Sequence, residues 1–131
     1  NAPALLVWVP EASKHTSKYI DDADWKIAIT KAGDASVDRL MKKSWNRRIW
    51  STLLKEADLF SLASGLMEEA GRSSLLSTVL DHLEPKMSCH LCMLGTSLII
   101  VPKNLDEELD FDEVASNLRK LDLGVRFTQL A

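Results

Sequence analysis

The feature that most constrains this chain is a long stretch of helical periodicity, Ser36 to Glu84, flanked on both sides by segments typical of strands. At 100° per residue its apolar positions share a face for only a few turns, and that face shifts near Ser44 and again near Asp58. Asp58 is a favourable N-cap residue, and Gly71 suits the position just beyond a helix. We therefore expect four short helices, each with one apolar stripe. The stripe predicted after Asp58 consists of Leu59, Leu62, Ala63, Leu66, Met67 and Ala70.

Strand-like patterns lie before and after the helical stretch. Residues 4–9 form a continuous apolar run, which is typical of a buried strand, and residues 25–30 alternate apolar and polar side chains, which is typical of a half-buried one. Residues 87–94 and 97–101 flank Gly95-Thr96, a pair that suits a two-residue type II′ turn. These segments predict two strands ahead of the helices and a hairpin after them.

The last helix has the strongest local signal in the chain. Asp110 and Glu113 are spaced like a capping box, with Asp in place of Ser or Thr, so they predict a helix that begins there. Gly124 is expected to end this helix, and residues 125–128 alternate as a closing strand. A connection of this length can form a right-handed β-α-β crossover from the second strand of the hairpin.

Together these elements predict an α+β fold with the order β-β-α-α-α-α-β-β-α-β. We expect a mixed sheet of about five strands, with a cluster of short helices inserted between the second and third strands and one later helix. The 131 residues suit a single globular domain that needs neither a disulfide nor a metal for its core. The start Asn1-Ala2, without an initiator Met, predicts an excerpt of a longer protein whose first residues come from a vector.

The composition excludes several classes of protein. A formal net charge of −3 excludes a uniformly basic nucleic-acid binder, and 46% hydrophobic with 27% charged residues is typical of a globular chain. No segment approaches the roughly 20 apolar residues of a membrane span. Two cysteines, without the spacing of a disulfide framework, indicate a reducing, cytoplasmic location.

The two cysteines form a Cys-x-x-Cys pair, Cys89 and Cys92, a spacing that can hold zinc or exchange disulfides. Their apolar neighbours and the turn that follows predict a strand instead. Residues three apart in a strand point to opposite faces and lie about 10 Å apart, so these thiols can neither bond nor share a metal. We expect both to be buried as small apolar side chains.

Motifs for catalysis and for cofactors are missing from the sequence. It contains no nucleophile elbow, phosphate-binding loop, dinucleotide-binding glycine pattern or metalloprotease motif. The acidic run from Asp106 to Glu113 lacks the spacing of a calcium loop and suits a helix N-terminus. An enzyme would therefore need a polar cleft that sets His82 or His90 beside a carboxylate. We expect no catalytic residue, no metal and no cofactor.

One local concentration of positive charge departs from the mildly acidic total. Residues 31–55 contain seven basic and two acidic side chains, and a helix from Trp45 to Ala57 has one basic, polar face. Such a face is explained by solvation alone, by an acidic protein partner, or by contact with a phosphate backbone. The candidate binding residues are Lys42, Lys43, Trp45, Arg47, Arg48 and Lys55.

These features favour a non-catalytic interaction or regulatory domain of a larger protein, which mediates protein contact or self-association. The strand at residues 97–101 could pair with a partner or with a second copy if it lies at a sheet edge. One alternative is contact with nucleic acid through the basic helix around residues 42–55. Another is an accessory part of an enzyme whose catalytic residues lie elsewhere. We expect no contact with a membrane.

Overall fold

The computed structural model describes residues 2–10, 23–42, 49–64, 70–92, 96–106 and 108–130. These residues form four strands and four helices. The strands are β1 (Ala2–Trp8), β2 (Met87–Leu91), β3 (Ser97–Pro102) and β4 (Gly124–Leu130), and the helices are α1 (Ala23–Met41), α2 (Trp50–Ala63), α3 (Ala70–Leu80) and α4 (Asp112–Arg119). In chain order the elements are β1-α1-α2-α3-β2-β3-α4-β4.

The α+β class is confirmed, but the predicted sheet is wrong in size and kind. Within the described residues the sheet has four strands in the order β2-β3-β1-β4, and every neighbouring pair is antiparallel. Residues 25–30, predicted as a strand, belong to α1. Helical spacing outweighs the short alternation of residues 25–30. Ala32 and Ser36, four residues apart on one side of α1, are buried, whereas Ile27 is 65% exposed.

Strand β1 lies between β3 and β4, although it comes first in the chain. Since β3 and β4 both run antiparallel to β1, they run parallel to each other, and α4 connects them as a split β-α-β unit. The same reasoning applies to β1 and β2, which flank β3 and are joined through α1, α2 and α3. Two interleaved split β-α-β units make the ferredoxin-like arrangement of strands. Strand β3, considered above as a sheet edge, is therefore internal, and the edges are β2 and β4.

The connection between β2 and β3 is longer than the predicted two-residue turn. The Cys92 N–H donates to the Ser97 carbonyl at 3.0 Å, so residues 93–96 connect the paired strands. Thr96 is buried, and its carbonyl accepts a hydrogen bond from the Val9 N–H at 3.1 Å. Thr96 therefore lies in this connection and also pairs with the chain beyond β1, whereas Gly95, the other residue of the predicted turn, lies outside the described residues.

One face of the sheet forms the main core with α3 and α4. Side chains alternate along each strand, so Leu5 and Val7 of β1 share a face with Ile100 and Leu98, their partners in β3. All four side chains are fully buried against the two helices. The buried cluster consists of Leu5, Val7, Leu75, Val79, Met87, Cys89, Leu98, Ile100, Phe111, Val114, Ala115 and Leu118.

The helices α1 and α2 form a pair, called here the helical hairpin, that joins the sheet through α2. Helix α2 contacts β2, and α1 packs on α2. The Trp50 indole N–H at the start of α2 donates to the Pro102 carbonyl at the end of β3, at 2.8 Å. Arg39 of α1 and Glu56 of α2 form an ion pair at 2.8 Å, with the Glu56 side chain only 8% exposed. These contacts fix which side of each helix faces inward.

The predicted helix break at Asp58 is wrong, because α2 continues through it. Two members of the stripe expected to be buried after this residue face outward instead: Leu59 is 46% exposed and Leu62 is 61% exposed. Leu66 and Met67 of that stripe lie outside the described residues. The buried residues of α2 are Glu56, which pairs with Arg39 of α1, and Ser61. At 100° per residue, Leu59 and Leu62 point away from the direction midway between these two residues.

Helix α4 begins near the predicted cap and ends before the predicted glycine. The Asp110 carboxylate accepts a hydrogen bond from the Asp112 N–H at 2.8 Å. At the other end the Leu123 N–H donates to the Leu118 carbonyl at 3.3 Å. This bond belongs to a Schellman motif, in which Asp122 takes the left-handed conformation with φ of 62°.

Gly124 lies in β4 and not at the end of α4. It pairs with Trp8 across the two strands, and the Trp8 indole lies so close that a Cβ on Gly124 would overlap it. The glycine makes room for an aromatic ring, a packing requirement that a turn signal in the sequence does not reveal.

The backbone at Asp122 predicts a stabilising substitution. The left-handed conformation costs a non-glycine residue about 1 kcal/mol, and glycine adopts it without that strain. We expect Asp122→Gly to raise the free energy of unfolding by roughly 0.5–1 kcal/mol, measured by urea denaturation. Asp122→Ala keeps the strain and should not stabilise the protein. Equal stabilisation by both variants would show that loss of the carboxylate, and not relief of strain, is the cause.

Candidate functional site

A polar cluster joins the edge strand β2 to the helical hairpin. Ser88 and His90 are two residues apart in β2, so their side chains share a face, opposite to the core residue Cys89. His90 Nδ1 lies 2.8 Å from Oδ1 of Asp58, which comes from α2. Ser88 Oγ lies 2.6 Å from His90 Nε2. The hairpin therefore covers the sheet face opposite to α3 and α4, over β2.

The contacts indicate which groups donate in this cluster. An ionised carboxylate only accepts, so Nδ1 of His90 donates to Asp58. In the neutral imidazole with its hydrogen on Nδ1, Nε2 accepts from the Ser88 hydroxyl. This order is the connectivity of the serine hydrolases, in which the histidine takes the proton of a nucleophilic serine. One feature that the sequence analysis required of an enzyme is therefore present, since an imidazole lies beside a carboxylate.

The burial of His90 and Asp58 is the reverse of what hydrolase chemistry needs. The His90 side chain is 6% exposed, whereas the Asp58 side chain is 56% exposed. In a hydrolase the carboxylate is buried, and the serine opens into a cleft with hydrogen-bond donors for the oxyanion. Two cavities, of about 510 Å³ beside α3 and about 440 Å³ along α1, are lined by other residues. We interpret the cluster as a polar link that fastens α2 to β2.

Cys89 lies between the two polar residues of β2 but points into the core. It is 8% exposed and belongs to the buried apolar cluster, as predicted. Loss of solvation on burial, together with the negative charge of Asp58, raises the pKa of the Cys89 thiol to about 11. The thiol is therefore protonated at neutral pH and is a poor nucleophile. For Cys92 the prediction of a buried strand residue is wrong, because this free thiol follows the end of β2 and is half-buried.

His82, the other histidine considered above, lies just beyond the end of α3 and is half-buried. Its backbone N–H donates to the Val79 carbonyl at 3.0 Å, in the turn that ends the helix. This position is separate from the Ser88–His90–Asp58 cluster, and His82 lines neither of the two cavities.

The predicted basic surface lies only partly within the described residues. Lys42 and Lys55 are described, and both are exposed. Lys43, Trp45, Arg47 and Arg48 lie outside the described residues. The ion pair of Arg39 with Glu56 neutralises one of the seven basic side chains counted in the sequence, because Glu56 lies one position beyond the counted window. The local excess of positive charge is smaller than the window indicates.

A buried arginine is a polar feature that sequence reasoning missed. Arg72 lies in the first turn of α3 and is 1% exposed. Its Nη1 donates to the Cys92 carbonyl at 2.6 Å, which ties the start of α3 to the end of β2. The sequence contains no signal for this burial, because arginines usually lie at the surface and Arg72 has no regular spacing with apolar neighbours.

The acidic run before α4 serves the local backbone. Asn104 Oδ1 accepts a hydrogen bond from the Asp106 N–H at 2.9 Å, and the Asp110 carboxylate accepts one from the N–H of Asp112, the first residue of α4. Across the described residues, no group of three or more potential metal ligands comes together. In the same part of the chain, no helix has the length and apolar character needed to cross a membrane.

No family model, curated protein or solved structure matches this chain.

The interpretation of Ser88, His90 and Asp58 as a polar link predicts a loss of stability. We expect His90→Ala to lower the free energy of unfolding by about 2–4 kcal/mol, since it leaves a cavity and removes both hydrogen bonds. Asp58→Asn should cost less, and Asp81→Asn, at an exposed site, should change little. Urea denaturation measures all three variants. Stoichiometric labelling of Ser88 by a fluorophosphonate would contradict this interpretation and favour a hydrolase.

The raised pKa of Cys89 predicts unequal thiol reactivity. At pH 8 a thiol with a pKa of about 11 is about 0.1% thiolate, and burial further limits access. In native protein carrying Cys92→Ser, iodoacetamide should leave Cys89 unmodified, and unfolding in urea should expose it. In protein carrying Cys89→Ala, Cys92 should react in the native state. Mass spectrometry counts the adducts, and rapid native modification of Cys89 would show that this part of the core opens.

Proposed function

We propose that this chain is a non-catalytic protein-interaction domain and that the helical hairpin is its contact surface. The proposal is supported by apolar side chains that face solvent on both helices of the hairpin. Five of the nine large apolar side chains that are exposed in the described residues belong to it. They are Ile27, Val37, Met41, Leu59 and Leu62.

The spacing of these residues supports one contact surface on each helix. At 100° per residue Ile27, Val37 and Met41 fall within about 80° on α1, so they form a stripe. Leu59 and Leu62 are three apart and also share a side of α2. Exposed apolar stripes of this kind mark sites of protein contact, and Met41 adds a side chain that adapts to different partners.

The charge of α1 and α2 is nearly balanced, with four basic and five acidic side chains, so the apolar stripes and the exposed lysines near them indicate the chemistry of the partner. Lys55 is exposed on α2, and Lys42 is exposed directly after the end of α1. A partner that offers a helical segment with an apolar face and acidic flanking residues would pack on the apolar stripes and form ion pairs with these lysines. Nucleic acid fits less well, because a phosphate backbone offers nothing to Leu62 or Met41, which are 61% and 74% exposed.

Site-specific photo-crosslinking tests this proposal. A benzophenone amino acid in place of Leu62 should crosslink to a protein partner in extracts of the cells that make this chain. The same amino acid in place of Asp81, exposed after α3 and away from the hairpin, is the matched control and should give little crosslinking. With the partner purified, Leu59→Lys should weaken binding at least about tenfold, without a change in melting temperature, because Leu59 is already exposed.

Three outcomes would overturn the proposal. Equal crosslinking at both positions would show that the hairpin is not a specific surface. Crosslinks to nucleic acid alone would favour the phosphate-binding alternative. A lack of crosslinked protein at position 62 would show that the apolar stripe is not a contact surface.

A further inference from the structure

Within the described residues, the sheet is open at β4. This strand pairs with β1 along its whole length, and the described residues contain no strand on its other side. The Val9 N–H donates to the carbonyl of Thr96, the residue opposite it. The backbone N–H and C=O groups of the odd-numbered residues of β1 therefore point to β3, and those of the even-numbered residues point to β4. In β4, the groups that face away from β1 therefore belong to Val125, Phe127 and Gln129, whose N–H and C=O bonds point to the open edge.

A strand with these groups can pair with its own copy. With Phe127 on a two-fold axis, antiparallel pairing sets Phe127 opposite itself and Val125 opposite the partner's Gln129. All the outward groups then meet and form about six hydrogen bonds between subunits. Arg126, the only charged residue of β4, lies opposite the partner's Thr128, so no like charges are directly opposed.

The side chain at the centre of this edge suits contact with its own copy. Phe127 is 47% exposed, although it lies in a strand that is paired along its length. The Arg119 guanidinium of α4 stacks over the ring, 5.7 Å from its centroid. In the two-fold pairing the two Phe127 side chains lie opposite each other on one sheet face, within reach of an aromatic contact.

We infer that β4 pairs with β4 of a second copy of this chain, in the antiparallel register centred on Phe127, so that two sheets join into one. The other edge strand, β2, is shorter, and α2 lies over one of its faces. The β4 contact uses a surface distinct from the helical hairpin, so it stands or falls independently of the proposed function.

Charge substitutions at Phe127 test the register, because this position meets itself only when it lies on the axis. Phe127→Glu and Phe127→Lys each set like charges opposite each other, and each should raise the dissociation constant of the dimer at least about tenfold. An equal mixture of the two variants should recover dimers close to the wild-type affinity. In the matched controls, Gln129→Glu and Gln129→Lys, the new charge lies opposite Val125, and the dissociation constant should change less than about threefold. Sedimentation velocity measures the dimers, and circular dichroism verifies folding.

A second measurement uses the wild-type chain and does not depend on how the variants fold. Amide exchange at Val125, Phe127 and Gln129 should slow as the protein concentration rises, because the dimer protects these N–H groups. A wild-type chain that stays monomeric up to roughly 1 mM would overturn the inference. Dimers that persist in both Phe127 variants, or a mixture that does not recover them, would place the contact on another surface and would overturn it equally.

Discussion

The structure depends on the burial and pairing of β1. This strand turns its hydrogen-bonding groups alternately to β3 and β4, so it joins the first residues of the chain to the last: Ala2 pairs with Leu130. Leu5 and Val7 are fully buried on the face that packs against α3 and α4. Without β1, the two strands on either side of it would have no common partner and both split β-α-β units would lose their centre. Pairing between such distant segments costs loop entropy, which the buried apolar side chains must offset.

Sequence patterns predicted this strand because a strand buried in the middle of a sheet needs a continuous apolar run, and residues 4–9 have one. The predictions were wrong where a distant contact outweighs a local pattern. Residues 25–30 alternate like a strand, yet α1 packs on α2, and helical spacing decides which of its residues are buried. The connection between β2 and β3 is longer than the predicted turn, and its residue Thr96 bonds to Val9, just beyond β1.

The candidate site shows the same division between local and distant signals. Strand alternation predicts that Ser88 and His90 share a face, since that depends only on their spacing. The contact of Asp58 with His90 could not be predicted, because it depends on how α2 crosses β2. In addition, Asp58 resembles a helix cap in the sequence. Hydrogen-bond connectivity alone also does not define a function. The same order of serine, histidine and carboxylate acts in catalysis when the serine opens into a cleft, and in this chain it fastens a helix to a strand.

The two proposed contact surfaces lie at opposite ends of the sheet order. The helical hairpin sits over β2, and β4 is the strand farthest from it, with β3 and β1 between them. A dimer joined at β4 would leave both hairpins uncovered, one near each end of the joined sheet. Such a dimer would present two contact surfaces to a partner that is itself repeated or oligomeric. Its apparent affinity would then exceed that of a single hairpin, provided that the spacing of the partner's sites matches the length of the joined sheet.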